Sequence, residues 1–211
     1  SSVCVSNQNE FVFLRIPKAA NTSVLYLLYL LTGGGELSSW NRDQITYGHF
    51  SHLGGRTLAR GFAPIKCYSF FTVCRNPYNR ALSTYLQKFK MDSYISQFPS
   101  VIPSHNPSQE GFLSFLAYLT DGGLFDDHHW IPQKDFLWPS ASRLDLVLKT
   151  ESLDHDLPKL LKLLGFTGVA AYLSVNTLYD KYKNYILEQQ RKEVIDSESE
   201  VYEDVLEQEA L

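Results

Sequence analysis

Three times along the chain an unbroken apolar run stops at a turn and is followed by a segment with helical spacing. Residues 11–16 (Phe-Val-Phe-Leu-Arg-Ile) are rich in β-formers and show no polar alternation, the pattern of a strand covered on both faces. The run breaks at Pro17, and Thr22 and Ser23 then cap an apolar segment at 24–31, a predicted helix that ends at Thr32 and the glycines 33–35. A second buried run, residues 67–74, halts at Arg75, Asn76 and Pro77. A helix is predicted from Tyr78 towards Lys90, with Pro77 near its first turn. A third, shorter run at 144–148 leads to a predicted helix at 153–164, bounded by Gly165. Strand, turn and helix in this repeated order predict parallel strands joined by crossovers, hence an α/β three-layer sandwich with a central parallel sheet.

The stretch 91–142 interrupts the alternation. Pro99, Pro103 and Pro107 precede a predicted helix at 110–120, and an aromatic, His-rich segment follows. The 211 residues suit one domain, 1–211, with 91–143 an insertion between core strands where an acceptor site is readily built. From Tyr185 the composition is helical, and beyond Lys192 it is acidic, which predicts a solvated helix on the domain edge.

Composition narrows the function. A net charge of −4 argues against a general nucleic-acid binder, which needs a basic surface, so no nucleic-acid partner is expected. Aromatic residues make up 14%, a surplus that suits stacking on a base or a sugar as well as a core. Cys4, Cys67 and Cys74 form no disulfide framework and no metal-ligand spacing, which favours a reducing compartment. No signal peptide opens the sequence, and the apolar stretch 24–31 is far shorter than the roughly 20 residues of a membrane span.

Two turns carry candidate chemistry. Ile16-Pro-Lys-Ala-Ala-Asn-Thr-Ser23 joins the first strand to its helix, where unpaired backbone N–H groups make an anion site. Lys18 adds a charge there, and Thr22 and Ser23 add hydroxyls. The physics is that of a P-loop, although the G-x-x-x-x-G-K-[ST] spacing is absent and the lysine precedes the loop. A capped helix with a surface lysine is the plain alternative. Val73-Cys-Arg-Asn-Pro-Tyr-Asn-Arg-Ala-Leu-Ser83 puts Arg75 at the carboxyl end of the second strand and Ser83 a little over two turns into the next helix. Ligands bind at the carboxyl ends of the strands in open parallel sheets, so Arg75 is predicted on the same rim as Lys18. Its guanidinium suits bidentate pairing with a phosphate. Two anion sites on one rim suit a nucleotide phosphorylated at both ends.

These segments resemble the sulfotransferases that use 3′-phosphoadenosine 5′-phosphosulfate (PAPS), in particular the carbohydrate sulfotransferase branch. The Pro-Lys-x-x-x-Thr-Ser segment at 17–23 is similar to that family's 5′-phosphosulfate loop, and Arg-Asn-Pro-Tyr-x-Arg-x-x-Ser at 75–83 to its 3′-phosphate motif. His129-Trp-Ile-Pro-Gln133, followed by Leu148-Lys-Thr-Glu-Ser-Leu153, is a third match. The resemblance covers residues 11 to about 165 and implies a P-loop-like nucleotide-binding fold, PAPS as co-substrate and a carbohydrate acceptor. It implies that Lys18 contacts the 5′-phosphate and the bridging oxygen, that Ala19, Ala20 and Asn21 offer backbone donors, that Thr22 and Ser23 offer hydroxyls, and that Arg75 and Ser83 hold the 3′-phosphate. Ala-Ala-Asn stands where many relatives carry glycines. Arg80 is assigned a structural ion pair in preference to the same phosphate.

Sulfuryl transfer needs in-line placement, charge stabilisation and a base for the acceptor hydroxyl. His49, in Tyr-Gly-His-Phe50, is the first choice, because the segment is similar to the Gly-His stretch that carries the catalytic histidine in uronosyl 2-O-sulfotransferases. His52 is nearby without that match. His128 and His129 are the second candidates, with His129 and Trp130 expected to shape the acceptor pocket, Trp130 being either core or a sugar-stacking platform. Glu151 is either a base or the partner of a nearby cation. The Asp126-Asp127-His128-His129 cluster resembles a metal site, but adjacent residues rarely aim at one ion, and no metal is expected. A nucleotide-dependent kinase and a non-catalytic carbohydrate-binding domain on the same fold are the competing readings. Eukaryotic members of the branch are usually anchored in the Golgi lumen; the short length and few cysteines instead predict a bacterial-type cytoplasmic enzyme, with the Golgi lumen as the alternative if an anchor was removed.

Overall fold

The structure is a computed structural model that describes residues 2–34, 50–54, 65, 67–99, 101, 108–137 and 140–166. The predicted runs at 11–16, 67–74 and 144–148 form β2 (Phe11–Leu14), β4 (Ser69–Cys74) and β5 (Leu146–Lys149), which lie side by side and parallel. Phe13 pairs with Phe71, and Thr72 with Val147. Two further strands were not anticipated. β1 (Ser2–Ser6) and β3 (Ser51–Gly54) complete a five-stranded sheet in the order β3-β1-β2-β4-β5. β1 pairs antiparallel with both neighbours, so it alone opposes the direction shared by the other four. The short connection through Asn7 and Glu10 compels that reversal, because a tight turn joins only antiparallel strands. Glu10 supplies the left-handed residue, at φ 50°.

Side chains alternate across the sheet as the pleat requires. Phe11, Phe13, Phe71, Val73 and Leu148 face α1 (Asn21–Leu31) and α6 (Leu153–Leu163), whose Leu25, Leu28, Leu157 and Leu160 complete the larger core. Phe13 and Phe71 stack with centroids 5.0 Å apart. Val3, Val5, Val12, Leu14 and Phe70 face the other way, covered by Ile65, Leu137 and Leu144. Each fully buried Leu or Phe contributes about 1.5–3 kcal/mol, which is what fixes α1 and α6 to the sheet.

The segment after β4 builds a second, smaller core. α2 (Pro77–Lys88) contributes Tyr85, and Phe89 follows it. α3 (Asp92–Gln97) leads to Phe98, and α4 (Gln109–Thr120) contributes Phe115. Trp130 closes this cluster edge-on to Phe98 and Phe115, at centroid distances of 5.3 and 5.5 Å. α5 (Gln133–Leu137) then returns the chain to β5. Among the described residues no helix is long and apolar enough to cross a membrane. The C-terminal segment from Tyr185 lies outside the described residues.

Candidate functional site

The carboxyl ends of β2, β4 and β5 meet at one rim. Thr150 Oγ1 donates to the Cys74 carbonyl at 3.0 Å and ties the last two tips together. Lys18 follows β2 and Arg75 follows β4, and the Arg75 Nη1 donates to the Lys18 carbonyl at 3.2 Å. The predicted meeting of these two cations on one rim is thus present in the structure.

The turn after β2 departs from the predicted Ser/Thr-capped start. α1 begins at Asn21, and its capping position is Ala20, left-handed at φ 52° with no side-chain cap. Lys18 is also left-handed, at φ 68°. Such conformations cost a non-glycine residue roughly 1 kcal/mol or more, so packing must hold the turn. The methyl of Ala19 is fully buried, and its N–H donates to the Ile16 carbonyl at 3.2 Å. Ala19 is therefore removed from the set of backbone donors expected to meet a ligand. The first intrahelical bond runs from Val24 N–H to the Ala20 carbonyl at 3.0 Å, which leaves the N–H groups of Asn21, Thr22 and Ser23 ahead of the helical ladder.

The turn after β4 is satisfied internally. Asn76 Oδ1 caps α2 by accepting from the N–H groups of Tyr78 and Asn79 at 3.0 and 3.3 Å. Glu151 accepts from the Asn76 N–H at 2.7 Å. Burial pushes the Glu151 carboxyl up, but the bonds from Asn76, from its own backbone and from Asn79, with the charge of Arg75, together hold it below its ordinary range. That carboxylate is committed to the turn.

Two adjoining clefts open on the rim. One, of about 530 Å³, is lined by Lys18, Arg75, Asn79, Ser83 and Gln87 among others. The second, of about 820 Å³, is lined by Ala20, Ser23, Arg75, Ser83, Thr150 and the start of α6. Arg75 and Ser83 border both, so Lys18, Ala20, Ser23, Arg75 and Ser83 share one continuous groove.

The groove is electrostatically primed for an anion. Burial lowers the Lys18 pKa to about 8, with the charges of Lys88, Arg75 and Arg80 adding to the effect, and its ammonium donates to Gln87 Oε1. Arg80 is 5% exposed, and burial lowers its pKa to about 10. The ion pair expected for it is replaced by carbonyls: Nε donates to Pro17 at 2.9 Å and Nη1 to Ile131 at 2.8 Å, while Nη2 is buried without a partner. Lys18 and Arg75, like charges gathered on the wall of one cleft, favour an anionic ligand there.

The remaining candidates separate. His49 lies outside the described residues, and His52 is in β3, its Cα opposite Cys4. His129 Nδ1 lies 2.7 Å from Asp127 Oδ1 and 3.0 Å from the Tyr94 hydroxyl. Burial lowers its pKa to about 4, Asp127 opposing the shift and His128 and Lys88 adding to it. Its backbone carbonyl accepts from Thr84 Oγ1 at 3.2 Å, one turn of α2 from Lys88. The ligand atoms of Asp127, His128 and His129 lie within 4.8 Å of one another, so these adjacent residues do converge, against the expectation that they would not aim at one point. Trp130 is not a sugar-stacking platform: it is 4% exposed, Phe98 and Phe115 pack on its ring, and its Nε1–H donates to the Gly123 carbonyl at 2.9 Å.

Sequence reasoning assigned no role to Gln133, whose side chain bonds the Arg75 backbone twice. Its place in the His-Trp-x-Pro-Gln segment was the only signal pointing to it.

A model of the sulfotransferase family matches residues 1–210. Carbohydrate sulfotransferase 11 of Rattus norvegicus is 27% identical over 187 residues, 78% of this chain and 53% of its own length. Carbohydrate sulfotransferase 10 of Danio rerio is 23% identical over 200 residues, covering 82% and 55%, and that of Xenopus laevis 21% identical over 221 residues, covering 91% and 62%. The chain thus spans little more than half the length of these relatives. No solved structure matches it significantly. These relatives are animal carbohydrate sulfotransferases, which overturns the expectation of a bacterial-type cytoplasmic enzyme.

Proposed function

The chain belongs to the sulfotransferase family, and on that premise we propose that it transfers a sulfuryl group from PAPS to a carbohydrate hydroxyl. The observation that carries this reading is the pair Lys18 and Arg75, set on neighbouring strand tips, linked at 3.2 Å and bordering one groove. PAPS, when bound, supplies the sulfuryl group and leaves as 3′-phosphoadenosine 5′-phosphate.

The protein's part is positioning and charge. Lys18 neutralises the leaving oxygen, and its depressed pKa reflects a cost that a bound anion relieves. The N–H groups of Ala20, Asn21, Thr22 and Ser23 and the hydroxyls of Thr22 and Ser23 hold the 5′ end, aided by the positive end of α1. Arg75 and Ser83 hold the 3′-phosphate. The acceptor oxygen bonds to sulfur as the sulfur–oxygen bond to the 5′-phosphate breaks, and the hydroxyl proton passes to His49. His129 is the second candidate; burial that lowers its pKa to about 4 leaves it neutral at pH 7 but makes it a weak base, which is why it ranks behind His49. The segment 91–143 forms the acceptor wall. The carbohydrate assignment is supported by the names of the relatives.

Thermal unfolding with 3′-phosphoadenosine 5′-phosphate tests the donor assignment. A rise in Tm that disappears in Arg75→Ala is expected; stronger stabilisation by ATP and magnesium overturns it in favour of a kinase. His49→Ala is expected to abolish turnover in a labelled-PAPS assay while nucleotide affinity stays within about two-fold. Activity retained within a few-fold moves the role to His129.

A further inference from the structure

The segment from His129 to Gln133 touches both cationic turns. β4 ends at Cys74, whose Cα lies opposite Lys149, and on its other side β2 already stops at Leu14, opposite Thr72. Arg75 therefore projects past both ladders, where no strand holds its backbone. The Gln133 carboxamide does this instead. Its Oε1 accepts from the Arg75 N–H at 2.9 Å, and its Nε2 donates to the Arg75 carbonyl at 2.7 Å. One side chain thereby supplies both bonds that a neighbouring strand would make.

Two residues before Gln133, the Ile131 carbonyl accepts from Arg80, whose Nε holds the Pro17 carbonyl beside Lys18. Thr84 fixes the near end of the same segment through the His129 carbonyl. Both turns are thus clamped to one short stretch of chain, although they lie far apart in sequence.

We propose that Gln133 is a positioning residue for Arg75, and that the 129–133 segment is a brace setting the separation of the two cationic turns to match the two phosphorylated ends of the donor. The proposal rests on the reading of Arg75 as a phosphate-gripping residue. Arg75 grips far from the reacting sulfur, so the brace acts equally on ground and transition states. Its loss raises the donor KM and leaves kcat alone.

The test uses Gln133→Met, equal in length but without hydrogen-bonding groups, with Arg75→Ala and Thr84→Val alongside. Calorimetry gives the Kd for 3′-phosphoadenosine 5′-phosphate, and steady-state assays give the donor KM and kcat. Gln133→Met is expected to raise Kd and KM about ten-fold with kcat within two-fold of wild type. Thr84→Val, which removes only the bond to the His129 carbonyl and leaves the Gln133 and Arg80 clamps on the two turns intact, is expected to lower Tm and leave Kd unchanged. If Gln133→Met does not fold, Gln133→Asn, one methylene too short to make both bonds, takes its place with the same expectation. A folded Gln133 variant with the wild-type Kd, while Arg75→Ala loses binding, overturns the brace alone. Absence of nucleotide binding in the wild-type protein overturns the donor reading and the brace together.

Discussion

After β2 the chain reaches its helix through two left-handed residues, the second of them a bare alanine cap, whereas after β4 it does so through an asparagine that takes two of the helix's N–H groups. Both turns carry a basic residue, but they recognise an anion by different means. The first leaves its helix terminus uncapped, so backbone donors and helix polarity add to the side chains of Lys18, Thr22 and Ser23 at short range and favour an anion seated at the turn itself. The second spends its helix terminus on Asn76 and Glu151 and offers an anion only the side chains of Arg75 and Ser83. A strained, unsatisfied turn suits the reacting end of a ligand, where charge develops; a relaxed, satisfied one suits an end that is merely held.

This contrast can be broken experimentally. Removing the cation of the first turn, Lys18→Ala, is expected to lower kcat about a thousand-fold, since it stabilises charge on the leaving oxygen. Arg75→Ala acts mainly on binding, and equal effects of the two on kcat erase the distinction. A smaller, pH-dependent effect follows from the Lys18 pKa of about 8. Nucleotide affinity is expected to fall about ten-fold between pH 7 and pH 9 as the empty site loses its proton, and to stay flat in Lys18→Ala. The sign for stability is the reverse. The folded pKa lies below the ordinary 10.5, so the unfolded chain binds more protons between about 8 and 10.5. The lysine's penalty on folding is full below that window and is relieved as pH rises through it. The smallest effect concerns the second turn. Asn76→Ala is expected to cost about 1 kcal/mol of stability in a urea titration, with nucleotide affinity nearly unchanged. A large loss of affinity instead means that the cap belongs to the binding machinery.

The sequence pattern exposed what depends on local chemistry. The three apolar runs, Pro77 in the first turn of α2 and the joint rim of Lys18 and Arg75 were all legible, because each follows from neighbours along the chain. β1 was not, although Val3, Cys4 and Val5 do alternate between the two faces of the sheet. Five residues bounded by serines carry too little pattern to stand out. The cap of α1 was misread because Thr22 and Ser23 are cap-forming residues, yet they lie inside the helix. Trp130 was balanced between core and surface, and only the arrival of Phe98 and Phe115 from separate segments decides it. Arg80 was assigned a carboxylate partner, whereas its partners are backbone carbonyls, to which sequence identity gives no clue.

The single reversed strand has a consequence for how the molecule assembles. β1 and β2 are joined by a tight turn, so their hairpin is a local event of microseconds. β3 pairs with β1 on its far side and returns only after α1 and a long intervening stretch. Among the described residues that wing is an edge of the sheet, held by one ladder. The rim that carries Lys18 and Arg75 lies across the sheet, on strands that pair in the interior and pack large aromatic side chains against one another. Local opening of the singly held wing is therefore expected to leave the rim in place.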